Sequence, residues 1–440
     1  MGGRIERLGG PEDLAAAIRR SLSVHPERGV RDHVHGFHSY PARLHPGTAA
    51  RLIEDLAPVG GIVADPFCGC GTVLVEARRM GRTPLGLDLN PLAVRLTRFK
   101  TQPLSAEQRD DLLDAALRVA ESAEDRRVEA LGPTRQYEAN EREEFDVHVL
   151  LELDGLADGI RKEPPGPLRH ALLLALSSIF SKVARQPSSD PASKLPPSAK
   201  PGKKVTGKRP VNTEPPRKRL PSGFAIRFFV GRVEELVRQL TEYEELLPRD
   251  ARPVDCKEGD ARQLDQLGWR NVDLIVTSPP YPGVLDYASY HRTRLQWLGL
   301  DGTDFEQREL GARRSLQRLE HAEAASRWEQ DFTQVLAAMR QTLSPSGRIA
   351  MVLADSLLAG EPYPADVVVE RCGARAGLQV LARGSQRRPH FHAHSAAAFG
   401  RHPRYEHLLV LVPKAASAAL PRTTAPRTTP PRTTGRTRPR

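Results

Sequence analysis

The apolar positions along residues 31–104 change period repeatedly. A helical spacing over Thr48–Leu56 gives way to a short apolar run at Gly61–Asp65 and a glycine-rich turn. A helical stretch at Thr72–Met80, an apolar run at Thr83–Asp88 and a third helical stretch at Pro91–Phe99 follow. Short apolar runs bounded by turn residues predict buried strands, and the longer 3.6-period stretches predict helices. The alternation resumes after residue 253, with strands at Val254–Glu258, Val272–Val276, Arg348–Leu353, Gln379–Ala382 and His407–Val412 and a helix at Ala322–Thr342. Strands alternating with helices imply an α/β domain around a parallel sheet. Its halves are expected at residues 31–104 and 251–413, behind a leader (residues 1–30) with one helix at Pro11–Leu22. Residues 105–250 have helical period, as in Glu152–Ile160, Leu168–Val183 and Phe228–Leu246, and predict a helical insertion. Its segment 186–222 is rich in Pro, Lys and Ser and is expected to be disordered. So is the tail 414–440, which repeats Pro-Arg-Thr-Thr three times.

Composition narrows the class. Hydrophobic residues at 39% and charged residues at 27% allow an ordinary core. No apolar run reaches the roughly 18 residues of a membrane span. The first residues, Met-Gly-Gly-Arg-Ile-Glu-Arg, carry no apolar stretch of a secretory signal. Four cysteines make no disulfide framework, and a reducing cytoplasm is expected. The net charge of +11 suggests a polyanion partner. Its location weakens that reading, because residues 182–220 and 414–440 hold the basic excess and the rest of the chain is mildly acidic.

Candidate chemistry begins at Ala64-Asp65-Pro66-Phe67-Cys68-Gly69-Cys70-Gly71-Thr72, where a strand ends and a helix opens. Gly69 and Gly71 allow close approach of a ligand to the backbone, and the helix start offers free N–H groups. In open parallel sheets, ligands bind at the carboxyl ends of strands, where this turn lies. The next strand ends in Asp88, a carboxylate able to accept both hydroxyls of a ribose; a helix cap is the alternative, because Asn90-Pro91 starts a helix. A dinucleotide fingerprint would need a third glycine, but position 74 is Leu. The turn therefore suits a nucleoside without a pyrophosphate, which points to S-adenosylmethionine. In Glu258-Gly259-Asp260, just past another strand, a carboxylate could meet the adenine amino group.

The second feature is Val272-Asp273-Leu274-Ile275-Val276-Thr277-Ser278-Pro279-Pro280-Tyr281, a strand running into a stiff loop tipped by an aromatic ring. Two prolines fix φ and remove two backbone donors, leaving carbonyl acceptors. The Ser278 side chain and the Pro279 carbonyl could accept hydrogen bonds from an amino group and aim its lone pair at an electrophilic methyl. Tyr281 offers a face for an unstacked base, an interaction worth about 1–3 kcal/mol. A base in a duplex must be flipped out to reach such a site.

These residues resemble the amino-methylating DNA methyltransferases of bacteria. Asp65–Thr72 resembles their cofactor motif, and Thr277–Tyr281 their catalytic motif. His38-Ser39-Tyr40-Pro41-Ala42-Arg43-Leu44-His45-Pro46 resembles the segment that closes over the methionine end of the cofactor. Asp286-Tyr287, His291-Arg292 and Trp297-Leu298-Gly299, and the insert around Leu172–Ser178, resemble that group as well. The resemblance implies a three-layer, Rossmann-like fold on a mostly parallel seven-stranded sheet, with S-adenosylmethionine as cofactor. Cofactor contacts would come from Tyr40, Asp65, Phe67, Gly69, Gly71, Thr72, Asp88 (ribose) and Asp260 (adenine), and catalytic residues would be Ser278, Pro279, Pro280 and Tyr281. The expected partner is double-stranded DNA with a flipped base, and no membrane. Ser278 favours cytosine N4 as target over adenine N6. In such enzymes the insertion can carry target recognition.

Other constellations carry less. Cys68-x-Cys70 lacks a second cysteine pair for zinc. His33, His35, His38 and His45 fit packing over the cofactor, and His390, His392 and His394 beside Arg383, Arg387 and Arg388 fit phosphate contact. No metal site is expected. Two rival functions stand beside DNA methylation: transfer RNA guanine-N2 methylation, whose enzymes usually carry an RNA-binding domain ahead of the cofactor turn, and nucleic-acid binding on an inactive methyltransferase fold.

Overall fold

The computed structural model describes residues 4–102, 104–185, 219–390, 393–400 and 402–414. The expected disordered segment 186–222 lies outside the described residues up to position 218, and the expected tail 414–440 lies outside them beyond Lys414. The strands are β1 (Ile5–Gly9), β2 (Ile62–Asp65), β3 (Thr83–Asp88), β4 (Asp255–Glu258), β5 (Val272–Thr277), β6 (Leu343–Ala354), β7 (Ser356–Leu358), β8 (Glu361–Tyr363), β9 (Leu378–Arg388) and β10 (Arg404–Pro413). Eight of them form one sheet in the order β1-β9-β10-β6-β5-β2-β3-β4, and β7 and β8 make a separate hairpin. From β4 through β3, β2 and β5 to β6 all neighbours are parallel. β10 lies antiparallel between β6 and β9.

Seven of these strands stand where the apolar runs placed them, and together they make the expected mostly parallel α/β sheet. β1 was not foreseen. Among the described residues it is an edge strand paired with β9 alone, and its sequence Ile-Glu-Arg-Leu-Gly lacks a continuous apolar run. An edge strand buries too little to show one. The leader therefore contributes a strand as well as its helix. β9 runs to Arg388, past the expected Ala382, because its polar half is held by β10 on one side and β1 on the other.

Alternate residues of the central strands enter two cores. Val63, Leu274, Val276, Ala350, Leu408 and Val410 face helices α1 (Glu12–Leu22) and α2 (Pro46–Leu56), together with part of α3 (Thr72–Arg79). Ala64, Ile275, Ile349, Met351, Leu409 and Leu411 face the opposite layer. This period of two on strands buried on both sides is the three-layer pattern.

Helix α4 (Pro91–Thr101) follows β3. The insertion then adds α5 (Ala106–Val128), α6 (Ala139–Glu144), α7 (Val147–Lys162), α8 (Pro167–Val183) and α9 (Phe224–Glu245). After β5 come α10 (Tyr287–Trp297), α11 (Thr303–Arg308), α12 (Arg313–Leu316), α13 (His321–Thr342) and α14 (Ala365–Arg375); the last two cover the second face of the sheet. The insertion has its own core, in which Leu112, Leu153, Leu176, Phe180, Phe229 and Leu240 are buried, and this core is continuous with Phe37 and Leu96. No helix among the described residues is long and apolar enough to cross a membrane.

Candidate functional site

The parallel register brings the carboxyl ends of β2, β3, β4 and β5 to one edge of the sheet, so Asp65, Asp88, Asp260 and Ser278 converge although they are spread over more than 200 residues of chain. Two cavities open there. The first is lined by Tyr40, Asp65, Phe67, Gly69, Thr72, Asp88 and Asp260, with walls from Phe305, Leu310 and Val335. The second is lined by Tyr281, Tyr290, Val352, Arg388, Arg404 and Glu406. Ser278, Tyr287 and the segment Pro41–Leu44 border both.

The glycine turn owes its shape to its neighbours. Gly69 has φ +50°, and a Cβ there would lie 3.2 Å from the Tyr40 ring. Gly71 has φ +81°, and its Cβ would lie 2.7 Å from Thr97 Oγ1. Gly71 borders neither cavity; its lack of a side chain admits α4. From α4 the Thr97 hydroxyl donates to the Gly69 carbonyl (3.1 Å), and the buried Lys100 ammonium donates to the Cys70 carbonyl (3.1 Å). The turn's carbonyls are thereby held from behind. Two of its N–H groups meet carboxylates: Gly69 N–H donates to Asp88 Oδ2 (2.7 Å), and Phe67 N–H to Asp65 Oδ1 (3.1 Å).

Asp88 is not the cap of α4. Asn90 does that work, its Oδ1 accepting from Leu92 N–H at 3.0 Å, while Asn90 N–H donates to Asp88 Oδ1 at 2.8 Å. Burial pushes Asp65 up to about 7, against the pull of Thr277 and the Phe67 N–H. Burial likewise pushes Asp88 up to about 6. Both carboxylates are short of positive charge. Asp260 is not. Burial would raise it, but Arg262 and Arg308 hold it below the ordinary carboxylate range. Arg262 contacts it at 2.7–3.0 Å and Arg308 at 2.9 Å.

In the Ser278–Tyr281 loop, Ser278 and Pro280 border the first cavity and Ser278 and Tyr281 the second, while Pro279 is buried and borders neither. Burial first, and the charge of Glu406 next, push the Tyr281 phenol above its ordinary range, so it stays protonated. Tyr40 stacks on His291 (4.9 Å between ring centres), and its hydroxyl accepts from Asn90 Nδ2 at 3.2 Å.

The first histidine stretch was expected to pack over the cofactor, but none of its histidines borders the first cavity. His35 bonds Glu76 at 2.8 Å, His33 stacks on Tyr243, and the His45 ring accepts from Gly47 N–H at the start of α2. From the second stretch, His390 borders the second cavity beside Arg388, whereas Arg383 pairs with Glu370 at 2.8 Å. His392 lies outside the described residues, and nothing is described of the His394 side chain. The Cys68 sulfur lies 3.8 Å from that of Cys256, and all four cysteines are buried and free.

Thr97, Lys100 and Arg308 escaped the sequence reading, and Thr277 was placed in its motif without its bond to Asp65. Thr97 and Lys100 carried a signal: two polar residues three apart on the face of a helix that must pack against the glycine turn. Arg308 carried none, because its partner Asp260 lies 48 residues away.

Residues 19–99 match the family model described as DNA methylase. The Type II methyltransferase M.MvaI of Kocuria varians is 25% identical over 284 residues, 62% of this chain and 59% of that protein. The Type II methyltransferase M.MjaII of Methanocaldococcus jannaschii is 32% identical over 87 residues, 20% of this chain and 16% of that protein. The chain thus spans 59% or less of the length of these curated relatives. Among solved structures, the rRNA methyltransferase aviRa of Streptomyces viridochromogenes covers 92% of this chain and 100% of its own at 13% identity, with a TM-score of 0.33, too slight a likeness to add to the fold described above. With two motif loops meeting at one end of a mostly parallel sheet, the chain is similar over residues 19–99 to DNA methylases and over part of its length to Type II methyltransferases.

Proposed function

We propose that this chain transfers the methyl group of S-adenosylmethionine to an exocyclic amino group of a DNA base, with cytosine N4 as the favoured target and adenine N6 as the second. The observation that carries this reading is the position of Ser278, the one catalytic-loop residue that borders both cavities. A donor in the first cavity and a flipped base in the second would meet at its side chain.

The residues of the first cavity fit the donor. Asp65 and Asp88 are buried carboxylates whose charge a bound cation or hydroxyl pair would stabilise. Phe67, Gly69 and Thr72 would line the methionine side with Asp65, Asp88 would accept from the ribose, and Asp260 would accept from the adenine amino group beside its arginines. Tyr40 closes over Gly69. When bound, the donor supplies an electrophilic methyl on a sulfonium.

In the second cavity, Tyr281 gives the base a face and Ser278 holds one amino proton. The Pro279 carbonyl is the acceptor proposed for the other. With both protons held, the nitrogen lone pair points at the methyl for in-line displacement, and positioning supplies much of the acceleration. The amino proton becomes acidic once the nitrogen carries the methyl, so no strong base is needed. His390 and Arg388, the latter paired with Glu406, line this cavity and would face a phosphate backbone. Flipping the base from a duplex is part of the same proposal.

The test offers labelled S-adenosylmethionine with duplex DNA and transfer RNA side by side, followed by digestion to nucleosides and mass spectrometry. N4-methylcytosine from DNA is expected. N6-methyladenine would revise the target base. Label in transfer RNA alone would replace the reading.

A further inference from the structure

The insertion does more than fill space: one face of α8 grips the segment that closes over the first cavity. Ser177, Ser178 and Ser181 lie on that helix. The buried His38 is held well below its ordinary pKa, by burial first and nearby cations next, so its ring is neutral. Its Nδ1–H donates to the Ser39 carbonyl at 2.9 Å, and its Nε2 lies 3.0 Å from the Ser177 hydroxyl, whose proton is shared with the Leu174 carbonyl at 2.9 Å. The Ser181 hydroxyl meets Ser39 Oγ at 3.3 Å and accepts from Arg294 of α10 at 2.5 Å. The Ser178 hydroxyl accepts from Arg232 of α9 at 3.3 Å, and the same guanidinium donates to the carbonyls of Gly36 (2.6 Å) and Phe37.

Three hydroxyls on one helix, directly or through Arg232, thus hold residues 36–39, immediately before the Tyr40–Leu44 stretch that borders the first cavity. The far side of that stretch is fixed by the chain's own ends of the site. Tyr40 lies on Gly69 and stacks on His291, and Arg43 donates to the carbonyls of His35 (2.6 Å) and Val30 (2.7 Å). Apolar packing alone would not require serines here. Ser177 is 1% exposed and Ser178 7% exposed on a helix otherwise rich in Leu and Ala; each hydroxyl donates to a carbonyl of its own helix, Leu174 at 2.9 Å and Ala175 at 2.7 Å, and the same oxygens face His38 and Arg232.

We infer that the serine face of α8 positions the Phe37–Leu44 segment and thereby sets the affinity for the methyl donor. Ser177, Ser181 and His38 are positioning residues, and the insertion serves the cofactor site. This inference rests on the proposal that the first cavity takes S-adenosylmethionine.

Calorimetric titration of the full chain with S-adenosylmethionine tests it, using the wild type, Ser177→Ala and Ser181→Ala, with the thermal midpoint of each unliganded protein. Each variant is expected to raise Kd by about fivefold, the scale of one buried hydrogen bond. In methylation assays KM for the donor should rise while kcat at saturating donor stays within twofold. Kd within twofold of wild type in both variants, or a lowered midpoint in folded variants of unchanged Kd, would overturn the positioning role and leave a structural one. Should Ser177→Ala not fold, Ser181→Ala, at a partly exposed position, decides alone. Failure of the wild type to bind the donor would instead remove the cofactor proposal.

Discussion

The Thr277 hydroxyl donates to Asp65 Oδ1 across 2.7 Å, joining the last residue of β5 to the last residue of β2. The two loops that the site depends on, Pro66–Gly71 and Ser278–Tyr281, each start one residue beyond this bond. Thr277 is wholly buried and Asp65 nearly so, and Phe67 N–H is the other donor to the same oxygen, at 3.1 Å. Thr277→Val keeps the shape and removes the donor. Losing it from a buried carboxylate should cost about 1–3 kcal/mol in urea unfolding and raise the pKa of Asp65 further. Weaker donor binding at pH 7 should accompany the loss.

The raised carboxylates give a pH dependence with a definite sign. Asp65 and Asp88 sit at about 7 and about 6, above their unfolded values. In the unliganded chain their contribution to stability is present at acid pH and is lost as pH rises through 6 to 7. Donor binding that needs the carboxylates ionised runs the other way. Between pH 8 and pH 6 the affinity should fall roughly tenfold, following the ionised fraction of Asp65. Calorimetry across that range checks it, and Asp65→Asn should weaken binding and flatten the profile.

Gly71 and Gly69 separate folding from binding. Gly71→Ala places a methyl in a left-handed backbone and against Thr97, so it should cost roughly 1–3 kcal/mol of stability. Gly69→Ala shares the left-handed backbone (φ +50°), and the nearest atoms to its methyl belong to the Tyr40 ring at 3.2 Å, at the wall of the first cavity. It should unfold at a similar denaturant concentration to Gly71→Ala or higher, yet lose more of its donor affinity.

The sheet was legible because its strands are short, buried on both faces and bounded by turn residues, as Val272–Thr277 and Ile62–Asp65 illustrate. β1 was not, because an edge strand with Glu6 and Arg7 gives no apolar run. The convergence of Asp65, Asp88 and Ser278 was legible because the two aspartates end apolar strands and Ser278 directly follows one, the position where a parallel sheet gathers its loops. The bonds that tune them were hidden. Thr277 meets Asp65 over 212 residues of sequence and Ser177 meets His38 over 139, and no local pattern announces contacts of that range. The insertion shows the same limit. Its helical period forecast helices, but the direction of its serine face emerged only from their packing.

The central claim is that the amino group of a DNA base meets the methyl donor at Ser278. Single-turnover methyl incorporation into duplex DNA by Ser278→Ala, with donor affinity measured on the same preparation, tests it most directly. Loss of the positioned acceptor should slow incorporation at least about a hundredfold while donor Kd changes less than twofold. Incorporation at the wild-type rate by a variant of unchanged donor affinity would contradict the claim.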